Sequence, residues 1–399
     1  MGNPEFSPFP VDEYLGRVAR AQELMAESEL DALLVSSKEN VVYFSGIQTI
    51  GWESKHRPLA VIVPREKSKA VVMVLADSLV QVARETSWVD ELRPWGGWRI
   101  KDSPGSPIES VVQSIAELGL ESGKIGFELG YGQRIGMSQA DFASLREGLR
   151  RVEMVDGAEL LWKLRIIKSP REIEILRAAC QATSAAFEAG FGALHSGMSE
   201  KVLAGTMFSR MARETNERPG FVMVRSGLRK YPMMNVLPFD KPMEPGDLVV
   251  VDAGAIYKDY WSDFMRMACI GEPSSEQRRF FDAVAEAQRA GVERLRPGAT
   301  AHSIFEACLE VLIKRGLKEH ATLERVGHGV GLDMHEPPSL ARSSEVIVQP
   351  GMVLTVEPVI WDRPHARIGN FAIEDVVLVT EQGNEILTQF PRELYVVPA

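Results

Sequence analysis

Cysteine is scarce: Cys180, Cys269 and Cys308 are the three thiols of a 399-residue chain. An odd, widely spaced set excludes a disulfide framework, and a reducing cytoplasm is the expected compartment. No apolar run approaches the ~20 residues that span a bilayer. The opening MGNPEFSPFP has neither the basic start nor the apolar core of a secretory signal. Runs of Lys and Arg are lacking as well, and 45 basic against 55 acidic residues leave a net charge of -10. That balance excludes nucleic acid and anionic membrane as partners. There is no internal repeat and no low-complexity segment. What remains is an ordinary globular composition, 45% hydrophobic, with enough apolar material for two cores.

Two domains are expected, residues 8–160 and 161–399. The first alternates helical patterns near 11–27, 107–119 and 137–149 with strand patterns around 31–36, 40–44, 58–64, 69–74 and 124–128. That reads as an α/β domain. Residues 158–168 read as the connection, because the helix that follows has clear start chemistry. Ser169 suits the cap, Pro170 the first helical position, and Glu172 completes a capping box. Further helices are expected near 170–194, 199–214, 275–295 and 300–315, interleaved with hairpins, which makes the second domain α+β.

Into those hairpins the chain places acids where a strand should be apolar. The segments are LVVVDAG (248–254), YWSDF (260–264), MVLTVEP (352–358) and FAIEDVVLV (371–379). A hairpin of 248–254 with 260–268, turning between Tyr257 and Lys258, sets Asp252 opposite Asp263. A second, turning around His365 and Ala366, sets Glu357 opposite Glu374. Facing Cβ atoms lie about 5 Å apart, and like charges there destabilise a sheet. A divalent cation between them removes the conflict. His328, in RVGHGVGLDMHEPP, is the fifth candidate ligand, since Gly329 and Gly331 leave the backbone free to turn His328 and His335 toward one cavity. Oxygen-rich ligation with one imidazole suits two Mn²⁺ ions, with Co²⁺, Fe²⁺ or Zn²⁺ as alternatives. Two such ions acidify water and polarise the bond it attacks, so the implied reaction is hydrolysis. The glycines of that segment lack the spacing, the following helix and the acidic ribose ligand of a dinucleotide loop.

These segments, in this order, resemble the pita-bread metallohydrolases: Xaa-Pro aminopeptidase, prolidase and methionine aminopeptidase, with creatinase as a metal-free relative. The likeness runs from about residue 160 to the C-terminus, and the first half resembles the smaller domain of prolidase and creatinase. The resemblance implies a pita-bread catalytic domain of antiparallel sheet and outer helices behind a creatinase-type domain. It implies that Asp252, Asp263, His328, Glu357 and Glu374 bind two metals, that Glu357 also handles a proton of the attacking water, and that His335 stabilises the tetrahedral intermediate. It further implies a homodimer, in which the loop 49–57 with Trp52, His56 and Arg57 nears the partner's pocket.

The likeness lapses where relatives hold their substrate. After Ser226-Gly227, Met234 or Asn235 stands where a histidine is usual, and Ala372 where an arginine is usual. A peptide substrate is expected from the metal site, and weak activity on simple Xaa-Pro dipeptides from these departures. Arg229, Lys230 and Arg367 are the nearby cations that would compensate. His365, in the turn between the glutamate strands, is a further candidate substrate contact, whereas His195, His302 and His320 need no functional account. Two alternatives stand beside peptide hydrolysis. One is a small-metabolite hydrolase or lyase like creatinase or ectoine hydrolase. The other is a non-catalytic pita-bread binding module, which would lose metal ligands that this chain keeps.

Overall fold

The structure, a computed structural model, describes residues 4–55, 57–96, 106–320, 324–361 and 369–399. The chain forms two compact units, Met1–Arg165 and Ile166–Ala399. The helix Ala158–Arg165, which straddles the expected boundary near 160, lies in the first.

In the first unit a mixed six-stranded sheet runs in the order Glu91–Trp95, Val72–Ala76, Ala60–Pro64, Ala32–Val35, Lys124–Phe127, Glu153–Asp156. Its four central strands are buried almost throughout, without polar alternation, as expected of strands covered on both faces. The run at 40–44, expected as a strand, is part of the helix Lys38–Ser45. A short apolar segment buried all round has no telling period, and capping decides the matter. The Ser37 hydroxyl accepts from the Asn40 amide. The buried Glu128 carboxylate, at the end of the Lys124–Phe127 strand, accepts the Ser36 and Ser37 amides at 2.7 and 3.0 Å and the Asn40 side chain at 2.7 Å. Negative charge at the start of a helix is favourable.

The second unit is built around a four-stranded sheet ordered Tyr395–Val397, Phe264–Ile270, Leu248–Gly254, Phe221–Ser226. Alternation along the Leu248–Gly254 strand splits its residues between two cores. Val249, Val251 and Ala253 pack with Phe187, Phe191, Leu203 and Met207 of the helices Pro170–Ala193 and Glu200–Thr215. Leu248 and Val250 face the other way, with Met265 and Met267, toward Phe280, Val284, Ile304 and Phe305 of the helices Ser275–Arg294 and Ala301–Lys314. Asp252 belongs by its position to this second face, where it interrupts an apolar surface. Against the same face lie the strands Val353–Val356, Val359–Trp361, Asn370–Ala372 and Asp375–Thr380, whose residues Leu354, Val356, Ile360, Phe371 and Val377 join that core. The capping box of Ser169 and Glu172 is present at the first helix as expected.

Candidate metal centre

The first hairpin closes through Tyr257 and Tyr260, with Lys258 and Asp259 at its tip, both left-handed at φ 48° and 67°. Positive φ at both central residues is the condition of the twisted two-residue loop that suits antiparallel strands. The turn therefore falls between Lys258 and Asp259, one residue later than expected, and Asp252 pairs with Met265 rather than with Asp263. Lys-Asp carries no local signal for such a turn; Glu217 fixes it by accepting the Lys258 amide at 2.9 and 3.1 Å. A slip of two along the partner strand preserves the face. Asp263 thus becomes the diagonal neighbour of Asp252 on one side of the sheet.

The second hairpin keeps the expected register. Val356 pairs with Asp375 on one side and Val359 with Ala372 on the other, which leaves Glu357 opposite Glu374. The ladder is interrupted at this pair. Pro358 has no amide to give, the Glu357 amide turns to the Val326 carbonyl at 2.7 Å, and the Glu374 amide reaches the Met265 carbonyl at 3.3 Å. Those two detours tie the second hairpin to the histidine segment and to the first hairpin. Arg266, fully buried, reinforces the junction by donating to the carbonyls of Met265 and Glu374 at 2.8 and 2.6 Å and to the Asp375 carboxylate at 2.7 Å.

His328 is clamped to the Val353–Val356 strand: its amide donates to the Thr355 hydroxyl, and its carbonyl accepts the Thr355 amide at 2.8 Å. Gly329 and Gly331 serve close approach here rather than unusual dihedrals. A Cβ on Gly329 would stand 2.4 Å from the Pro337 carbonyl, and one on Gly331 2.7 Å from the Glu336 carboxylate. That carboxylate is itself locked in a buried pair with Lys168 at 2.9 Å. The His335 ring, exposed, meets the His328 ring edge to face at 4.3 Å between centroids.

Three adjoining donor sets result, each with its ligating atoms within 4.8 Å of one another: Asp252, Asp263 and Glu374; His328, Glu357 and Glu374; and Asp263, His328 and His335. The first two share Glu374. One oxygen each of Asp252, Asp263, Glu357 and Glu374 is buried with no hydrogen-bond partner. Four orphaned carboxylate oxygens converging on one place are costly unless a cation takes them up. Burial, then mutual repulsion, pushes Asp263 and Glu374 well above the usual carboxylate range, and burial together with Glu357 takes Asp252 to about 6 despite the charge of Arg225. Glu357 alone is held down. Burial pushes it up, but His328 at 3.3 Å, Arg325 and His335 outweigh that. Partial loss of water around the His335 ring, together with His328 and Arg325, lowers its pKa to about 4. The donor set fits divalent metal.

Met234 is exposed and Asn235 sits at φ 51°, both on the loop after Ser226. Trp52, in the turn Ile50–Glu53, and Arg57 belong to the first unit. His56 and His365 lie outside the described residues. Among the buried charges of the second unit, Lys168, Arg225 and Arg266 give no motif in the sequence. Their one signal is a cation at a strand or helix-entry position that the apolar pattern assigns to the interior.

Fold and site together define a metal-dependent hydrolase. Residues 174–381 match metallopeptidase family M24 and residues 17–167 the creatinase/prolidase N-terminal domain, so the chain belongs to the M24 family, with its pita-bread fold. It is a metal-dependent peptidase by that membership. The chain is 30% identical to a Xaa-Pro dipeptidase of Pyrococcus horikoshii over 382 residues, covering 95% of this chain and 98% of the relative. It is 29% identical to the Xaa-Pro dipeptidase of Pyrococcus furiosus, with 95% and 99% covered. Among solved structures, the Xaa-Pro dipeptidase from Bacillus anthracis superposes with a TM-score of 0.83 at 28% identity, over 96% of this chain and all of the other. Among the described residues no helix is long and apolar enough to cross a membrane.

Proposed function

We propose that this peptidase hydrolyses dipeptides of the Xaa-Pro kind, holding two Mn²⁺ ions through Asp252, Asp263, His328, Glu357 and Glu374. The observation that carries the reading is the four orphaned carboxylate oxygens around one buried imidazole. Relatives of nearly equal length bearing the name Xaa-Pro dipeptidase support the substrate. The small-metabolite reading has no comparable support from these relatives, and the non-catalytic one sits poorly with the presence of all five donors. Co²⁺, Fe²⁺ and Zn²⁺ suit the same donors. The unit Ile166–Ala399 is the catalytic domain and Met1–Arg165 the creatinase-type one. The enzyme works as a cytoplasmic homodimer, with Trp52 and Arg57 at the partner's pocket.

Divalent ions bound there supply Lewis-acid polarisation and acidify water. Glu357, the one acid of the cluster whose pKa is lowered, takes up a proton from the attacking water and returns it to the departing amine. His335, neutral near pH 7, donates its ring N–H to the oxygen that becomes negative at the former carbonyl. Met234 and Asn235 line the substrate. Kinetics on Ala-Pro, a proline-containing tripeptide and a panel of small cyclic and guanidino amides, all with Mn²⁺, test the assignment. Turnover confined to the non-peptide amides would overturn it, and a monomer by sedimentation would overturn the dimer.

A further inference from the structure

Of the three cations expected to compensate for the unusual substrate positions, Arg229 is exposed and Arg367 lies outside the described residues. Lys230 is turned inward, 2% exposed. Its ammonium donates to the Glu200 carboxylate, to the Val224 carbonyl at 3.0 Å and to the Leu237 carbonyl at 3.3 Å. Those partners take up its three N–H groups. Lys230 therefore binds the protein and not the substrate, and its place in the loop after Ser226 calls for another account.

Glu200, the first residue of the helix Glu200–Thr215, is fully buried. One of its oxygens accepts the Ser226 amide at 3.0 Å and the Ser226 hydroxyl at 2.6 Å. The other accepts the Phe239 amide at 2.8 Å and the Lys230 ammonium. A single carboxylate thus holds both ends of the loop and, through Lys230, its interior. The Lys230 ammonium also lies 3.9 Å from the centre of the Phe239 ring, and the Lys201 amide donates to the Phe239 carbonyl at 3.2 Å.

Apolar burial contributes little to this loop. Across residues 228–240, Lys230 and Tyr231 are the only buried ones, while Leu228, Met233, Met234, Leu237 and Phe239 are exposed. Tyr231 anchors the near half: its hydroxyl donates to the Leu248 carbonyl at 3.2 Å and accepts the Leu248 amide at 2.7 Å. The far half carries Met234 and Asn235, and Asn235 is left-handed at φ 51°. Such a conformation persists where the surroundings hold it. Apolar residues of the same volume often stabilise a fold as well as a buried ion pair does, and what the pair adds is a defined geometry.

We infer that Glu200, acting through Lys230 and Ser226, is a positioning residue that sets the conformation of the loop 227–239 and thereby the affinity for substrate. The inference rests on the reading above that Met234 and Asn235 line the substrate.

The test measures kcat and KM for Ala-Pro on the Mn²⁺-loaded full-length enzyme, with metal content, Tm and hydrogen–deuterium exchange of residues 228–240 in parallel. Lys230→Met should raise KM by about 10- to 100-fold, the worth of a charge-assisted bond, with kcat nearly unchanged and the metal retained. Ser226→Ala keeps the amide bond and should raise KM by about 3- to 10-fold, so it carries the test if Lys230→Met does not fold. Glu200→Gln/Lys230→Met removes the unpaired carboxylate that the single variant leaves. Its Tm should recover relative to Lys230→Met while KM stays raised. A KM unchanged in the folded variants, or one that recovers together with Tm, would confine the pair to the fold and overturn the inference, as would loss of metal in Ser226→Ala. The loop should exchange faster in every variant, and unchanged exchange would overturn the clamp whatever the substrate. Should wild type leave Ala-Pro uncleaved, the dipeptidase reading fails by itself. The same variants are then compared on the amide that wild type turns over best, with an unchanged KM overturning the role of Glu200.

Discussion

Glu357 and Glu374 stand opposite each other in an antiparallel register that holds on both sides of them, yet neither gives its amide to the other. Each amide instead bonds a different neighbouring segment, and each side chain keeps one buried oxygen without a partner. The backbone of this pair builds the junction of three segments, and its side chains join the same donor set with His328.

Elemental analysis of Mn²⁺-reconstituted protein should give nearly two equivalents, and Asp263→Ala should remove most of the metal. Asp263 belongs to two of the three donor sets, with Asp252 and Glu374 in one and with His328 in the other. Unchanged stoichiometry in the variant would sink the ligand assignment.

Removing metal should cost stability in a pH-dependent way. Asp252, Asp263 and Glu374 have folded-state pKa values raised above the ordinary carboxylate range. A raised pKa means the folded state holds its proton more tightly than the unfolded one. Its contribution is fully present below about pH 4, where the unfolded carboxyls protonate, and is lost as pH climbs through about 6 at Asp252 and through the raised pKa of each of the other two. The Tm difference between Mn²⁺-loaded and EDTA-treated protein should therefore widen from pH 5 to pH 7.5. A gap that stays constant or narrows over that range contradicts the prediction.

His335→Ala should keep its metal and lose about 10²- to 10⁴-fold in turnover, the range for a positioned proton-transfer or hydrogen-bonding group. The His335 ring lies close enough to Asp263 and His328 to be counted as a donor, so the experiment discriminates between two roles. Loss of metal together with activity would make His335 a ligand.

Arg266→Met should destabilise the metal-free protein by about 3 kcal/mol, the lower end for removing one partner of a buried pair, since Arg392 and Gln288 still hold Asp375. The Glu374 carbonyl loses its donor as well, and metal affinity should fall about 10-fold, as for other groups that orient a ligand from behind. Urea unfolding of the apo protein and a metal titration read the two effects separately. Full affinity in a destabilised variant would restrict Arg266 to the fold.

What periodicity and local chemistry encode is legible in the chain before it folds. The helix opened by Ser169, Pro170 and Glu172, and the facing of Glu357 and Glu374, follow from residues near one another in the chain or related by one strand register. So does the choice of five potential donors, because an acid inside an apolar strand stands out against its neighbours. Tertiary structure alone decided the rest. The first hairpin turns where Glu217, some forty residues earlier, accepts the Lys258 amide. The run 40–44 is helical because Glu128 receives the amides at its start. Arg225 and Met267 share a row, through Val250, that exists only once three strands have paired. Hydrogen bonds and charges between distant segments carry no period that a single stretch of chain can display, and it is those contacts that fix turns, ends and the partners of buried charge.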